Sequence, residues 1–144
     1  MIQELLTNNI LLATVFSTIL AQLIKTLIDS LYHGQFQFYS LFRGAGMPSS
    51  HTATVVALTI SVFLTEGIST IFIVTLIFSL IVIRDVIWDK EFATHQENLI
   101  NVIIKDIFEE HEIKRNHLIW HTSVEVFFGI LVGITGTLVI FQIF

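Results

Sequence analysis

The residues of this sequence that could do chemistry fall into three clusters. The first is Gly44-Ala45-Gly46-Met47-Pro48-Ser49-Ser50-His51, which interrupts a very apolar chain and holds its only proline. Its glycines allow tight turns with positive φ, and Pro48 suits the first turn of a helix, where a missing N–H is harmless. The start of a helix presents free N–H groups and the positive end of its dipole. Two hydroxyls and an imidazole at that place read as an anion cradle with a proton donor. Taken alone, the same residues are also ordinary turn punctuation, with Ser49 or Ser50 as a helix N-cap.

The second cluster is Arg115 followed by His121 and Glu125. His121 and Glu125 are spaced i, i+4 and so share one helical face. A carboxylate there can accept the imidazole Nδ1–H and leave Nε2 as a nucleophile or base. Arg115 can offer a bidentate fork to phosphate. The third cluster is Lys25 with Asp29 at i+4, near the end of an apolar stretch. A lysine in that position either snorkels to the interface or serves an intramembrane site.

The elements that must position these groups follow from composition. The chain is 53% hydrophobic and 13% charged, against about 25% charged in an average soluble protein. Its mean hydropathy is +0.80. These values describe an integral membrane protein, and 144 residues make a single domain, residues 1–144. The absence of cysteine excludes disulfides, thiolate catalysis and cysteine-ligated metals. A net charge of −5 without a basic stripe argues against a nucleic-acid partner. The opening Met1-Ile2-Gln3-Glu4 lacks a positive n-region, so the first apolar segment is expected to be a retained span.

Apolar runs predict an all-α bundle of about four transmembrane helices, near residues 10–28, 48–64, 68–83 (reaching 88) and 119–144. Leu99, Ile100, Ile103, Ile104, Ile107 and Phe108 recur at helical spacing and predict an amphipathic helix between the third and fourth spans. Gly129-x-x-x-Gly133 predicts close helix packing in the last span. Four spans put the 1–2 and 3–4 connections on one side of the membrane. Lys25, Ser49, Ser50, His51, Arg115 and His121 then gather at one face, although they are scattered in sequence. A channel or transporter subunit would instead carry its charges along a path through the bilayer.

Pro48-Ser49-Ser50-His51 with Arg115-x5-His121-x3-Glu125 resembles the signature of the type-2 phosphatidic acid phosphatase superfamily. The closer resemblance is to its small divergent branch, found in bacteria and plants. That branch has a lysine ending the first helix, Gly-Met-Pro-Ser-Ser-His, and a final helix opening with His and Glu-Val-Phe-Phe-Gly. Here these are Lys25, Gly46 to His51, and His121 followed by Glu125-Val126-Phe127-Phe128-Gly129, so the likeness spans nearly the whole chain.

The resemblance implies phosphoryl transfer without a metal or other cofactor, on a lipid phosphate within a bacterial cell membrane. Candidate substrates are phosphatidate-like lipids, phosphatidylglycerophosphate and polyprenyl diphosphates. By that likeness His121 attacks phosphorus, Glu125 orients it and His51 protonates the leaving oxygen. Ser49, the backbone around Ser50, Lys25 and Arg115 hold the phosphate oxygens.

The chain also departs from the pattern. Tyr32-His33 stands where the superfamily has Arg-Pro, which leaves Arg43 or Arg84 as the substitute. Lys90-Glu91 stands where the branch has two arginines, so Lys90 is the remaining basic group there. These departures define the alternative: a weakened or inactive relative that binds lipid headgroups or a membrane partner. The superfamily's two leading helices are missing, and so small a bundle points to a homodimer. Positive-inside counting puts the basic loops in the cytoplasm, whereas most relatives face their site outward, so the side of the site stays open at this stage.

Overall fold

A computed structural model describes residues 7–36, 46–108 and 122–143. The described residues form four helices: α1 Asn9–His33, α2 Ser50–Glu66, α3 Thr70–Phe108 and α4 Thr122–Ile143. Each boundary has a local cause. Asn8 caps α1 by accepting the Leu11 N–H at 3.0 Å, and Gly34 ends it in the left-handed region at φ 65°. Ser49 caps α2. Gly67, at φ 66°, closes that helix by donating its N–H to the Phe63 carbonyl at 2.9 Å. The Ser69 hydroxyl then accepts the Phe72 N–H at 3.1 Å and opens α3.

Among the described residues three segments are long and apolar enough to cross a bilayer: Asn9–Tyr32, Thr70–Trp88 and Ser123–Ile143. The fourth span expected near residues 48–64 is a helix, but its 17 residues fall short of the other three. It is the central element of the bundle, packed against α1, α3 and α4. The amphipathic helix expected around residues 99–108 is not a separate element. It is the far end of α3, which runs unbroken for 39 residues. No glycine or proline lies between Thr70 and Phe108 to end the helix. Leu99, Ile100 and Ile103 on this extension are exposed.

Side-chain contacts fix the topology. Thr18 bonds Thr54 at 2.7 Å, which sets α1 against α2, and Gly136 of α4 packs on Ser17 of α1. Gly129 meets Ser49 and Thr52, Gly133 meets Ala53 and Val56, and the Thr137 hydroxyl donates to the Ala57 carbonyl. These ascending pairs make α2 and α4 run parallel. The Thr59 hydroxyl bonds the Thr75 carbonyl at 3.3 Å and Ser79 at 2.6 Å, and Ser79 donates to the Val55 carbonyl at 3.0 Å, so α3 runs antiparallel to α2.

The seams use small residues and hydroxyls throughout. Ala13, Ser17 and Ala21 are fully buried on one face of α1. This chemistry suits a membrane, because lipid tails are as apolar as leucine and provide no hydrophobic drive between helices. Close backbone approach and interhelical hydrogen bonds take over that role. The glycine spacing read in the sequence serves this purpose.

Candidate functional site

One end of the bundle brings three elements together. Lys25 lies in α1 about two turns before the helix ends. It does not snorkel: its side chain is fully buried. Gly46, at φ 129°, lays the incoming loop on the lysine stem so closely that a β-carbon there would sit 3.2 Å from both Cγ and Cδ. Only glycine adopts that backbone conformation readily, so Gly46 matches the loop to the lysine beneath it. Asp29, one turn further along α1 on the same face, is also buried. Lys25, Asp29 and Glu125 are each engaged with a partner.

Pro48 is fully buried and precedes the cap, rather than occupying the first helical turn as expected from its sequence position. The peptide bond from Met47 to Pro48 is cis. Ser49 is the N-cap of α2. Its Oγ accepts the Thr52 N–H at 3.3 Å and the Thr52 hydroxyl at 3.0 Å. The capping reading and the cradle reading of Ser49 therefore concern the same residue. Ser50 is partly exposed, and its carbonyl accepts the Thr54 hydroxyl at 2.7 Å.

The third contributor is Glu125, the acidic residue of the first turn of α4, where the helix dipole favours a carboxylate. It is 3% exposed. Its carbonyl accepts the Ser49 N–H at 3.0 Å, which ties the start of α4 directly to the cap of α2. Gly129, one turn on, has no side chain, and a β-carbon there would lie 2.7 Å from the Ser49 carbonyl oxygen.

Of the residues singled out in the sequence, Ser49 and Glu125 are joined by a main-chain bond, and Lys25 lies at the same end of the bundle beneath the loop at Gly46. His51 stands in the first turn of α2 beside them, with its side chain exposed. Arg84 does not join them. The register from Val55–Ser79, carried to Ser50, brings Arg84 to the same level. Its side chain is nevertheless exposed, with the guanidinium 5.8 Å above the Trp88 ring. Arg43, Arg115 and His121 lie outside the described residues, as does the side chain of Lys90. Thr52 is the member that the sequence reading did not single out for a role, and Gly46, read there only as a turn glycine, also packs on Lys25. A β-branched hydroxyl three residues after a serine cap and a glycine ahead of Met-Pro were the available signals. Among the described residues no group of three or more metal-ligating side chains is found.

The family described as "Divergent PAP2 family" matches residues 6–136 of the chain. The chain is also 35% identical over 156 aligned positions to "Uncharacterized membrane protein YuiD" of Bacillus subtilis (strain 168). That alignment covers 98% of this chain and 99% of the relative. No solved structure gives a significant match.

Proposed function

The chain belongs to the divergent PAP2 family, and from that premise we propose that it is a lipid-phosphate phosphatase of the bacterial cell membrane, working through a phosphohistidine. The observation that carries this reading is the convergence of buried Lys25, capping Ser49 and buried Glu125 at one end of the bundle. An ammonium and a hydroxyl at a helix N-terminus suit phosphate oxygens, and fixed donors of this kind stabilise charge on a transferring group.

In the proposed reaction the His121 imidazole nitrogen attacks the terminal phosphorus, and its bond to the leaving oxygen breaks, the ester oxygen of a phosphomonoester or the bridging oxygen of a diphosphate. His51 gives its proton to that oxygen, and its exposed position leaves it open to a bound lipid. Water then attacks the phosphohistidine while His51 takes up a proton. Inorganic phosphate leaves and both histidines are restored. Glu125 keeps the His121 ring oriented, and Arg115 joins Lys25 and Ser49 on the phosphate oxygens. The substrate is a phosphatidate-like lipid, phosphatidylglycerophosphate or a polyprenyl diphosphate.

The test is phosphate release from a panel of these lipids by the purified protein in lipid nanodiscs. Wild type should turn over at least one of them, and His121→Ala should abolish that activity. Activity that survives the substitution removes His121 as the nucleophile.

One observation favours a second reading, a non-catalytic relative that binds headgroups. Arg84, a candidate for the missing arginine, stacks on Trp88 at the exposed face of α3 instead of joining Lys25. A wild-type protein silent on the whole panel, yet retained on anionic vesicles, would establish that reading instead.

A further inference from the structure

Ser49 is fixed through nearly every atom that can hydrogen-bond. Its N–H donates to the Glu125 carbonyl at 3.0 Å, and its carbonyl accepts the Ala53 N–H at 3.0 Å. Its Oγ accepts twice from a single residue, from the Thr52 N–H at 3.3 Å and from the Thr52 hydroxyl at 3.0 Å. A serine hydroxyl has two acceptor positions and one proton. With both acceptor positions taken, only the proton remains to be offered, and no described residue receives it.

A helix cap does not require this arrangement. Capping needs one bond from a backbone N–H to the serine oxygen, so the donation from the Thr52 hydroxyl is additional. Thr52 is itself immobilised. It is fully buried, and its Cβ and methyl fill the space where Gly129 lacks a side chain.

We infer that Thr52 is a positioning residue for the phosphate site: by donating to Ser49 Oγ it makes the Ser49 hydroxyl an obligate donor, its proton directed away from Thr52 and toward the bound phosphate. The inference rests on the lipid-phosphatase reading, because phosphate oxygen is the acceptor it requires. A phosphate dianion presents acceptors only, and a freely rotating hydroxyl would turn a lone pair toward it part of the time. A locked donor avoids that repulsion and loses no rotational freedom on binding.

The test compares Thr52→Val, which keeps the shape and the backbone cap bond, with Thr52→Ser, which keeps the hydroxyl. Orthovanadate is the probe, titrated calorimetrically into the full chain in nanodiscs, with KM and kcat measured alongside on the lipid the wild type hydrolyses best. Thr52→Val should weaken orthovanadate binding roughly three- to tenfold, the loss of one hydrogen bond. KM should rise in step while kcat changes less, and Thr52→Ser should stay within about twofold of wild type. Ser49→Ala should match Thr52→Val, and the double variant should add little beyond either one. Should Thr52→Val lower the thermal midpoint markedly, Thr52→Ala against Thr52→Ser supplies the same comparison.

Wild-type affinity in Thr52→Val, or equal weakness in Thr52→Val and Thr52→Ser, overturns the positioning role and leaves Thr52 as packing against Gly129. In either case wild-type turnover leaves the phosphatase reading standing. A wild type that neither binds orthovanadate nor releases phosphate overturns both.

Discussion

The backbone N–H of Ser49 donates to the carbonyl of Glu125 at 3.0 Å, which joins the cap of α2 to the first turn of α4. These two residues are 76 positions apart in the chain and belong to different proposed roles, phosphate ligand and imidazole orienter. A main-chain bond between them fixes their separation independently of either side chain. The approach depends on Gly129, where any β-carbon would meet the Ser49 carbonyl oxygen at 2.7 Å and Thr52 Cβ at 2.9 Å.

Gly129→Ala should therefore separate the two halves of the site. Gly133→Ala is the control, because it meets Ala53 and Val56 just as tightly, at 2.8 and 2.9 Å, but one turn further from the site. Both substitutions should destabilise the bundle by about 1–3 kcal/mol through overpacking. Only Gly129→Ala should also depress phosphate release per folded molecule. Thermal unfolding and specific activity, measured on the same preparations, separate the two effects.

Lys25→Met is expected to cost both activity and stability. The methionine keeps an apolar stem against Gly46 and removes the need to bury an ammonium group. Its thermal midpoint should nevertheless fall, because the group that Lys25 engages is left without it. Turnover should fall on the order of tenfold to a hundredfold, the loss of a charged hydrogen bond to phosphate. A variant that unfolds more readily while retaining activity would make Lys25 a structural group.

Gly46→Ala should affect both properties. Its φ of 129° is strained for alanine, at a cost of about 1–3 kcal/mol. The added carbon would also press on Lys25 Cγ and Cδ at 3.2 Å. The expected result is a lower thermal midpoint together with weaker orthovanadate binding. Gly34→Ala should lower stability alone, because its added carbon meets nothing within 4 Å.

The attachment of α3 makes a prediction away from the site. Most of this helix is exposed, and it is held to α2 by Ser79, which bonds Thr59 at 2.6 Å and the Val55 carbonyl at 3.0 Å. Ser79→Ala should weaken that seam by roughly 0.6 kcal/mol, and by no more than about 2. Labelling of a cysteine placed at Val55 should rise correspondingly, while phosphate release stays within a factor of about two.

Parts of this architecture were legible in the sequence, for reasons particular residues make plain. Hydropathy gives α1, α3 and α4 because each must match a bilayer, and the glycine spacing gives close packing of α4, because close approach needs missing side chains, while its partner α2 is known only from the fold. Hydropathy could not separate the tail of α3 from an independent amphipathic helix, since both present the same 3.6-residue period. The difference lies only in whether the chain breaks after Trp88, and Asp89-Lys90-Glu91 is as compatible with a helix as with a turn. Lys25 was ambiguous because snorkelling and burial use the same residue at the same depth. What decides between them is Gly46, which is distant in sequence and becomes its neighbour only on folding. The family motif pointed to Ser49 and Glu125, but a main-chain bond between them leaves no mark on residue identity.

Glu125→Gln makes the most selective demand on the proposed mechanism. The substitution keeps the shape of the side chain and leaves the Glu125 carbonyl free to accept the Ser49 N–H, so the junction of α2 and α4 should persist. Stability should stay near wild type, and orthovanadate should still bind, because the proposed phosphate ligands Lys25 and Ser49 are untouched. What is lost is the carboxylate that would hold the His121 ring and balance the charge it gains during attack. The fall should therefore appear in kcat, on the order of a hundredfold, with KM little changed. Rapid-quench trapping with labelled substrate would then show phosphohistidine forming more slowly than in wild type. An unaltered kcat would remove Glu125 from the chemistry and leave it as the acidic residue that stabilises the first turn of α4.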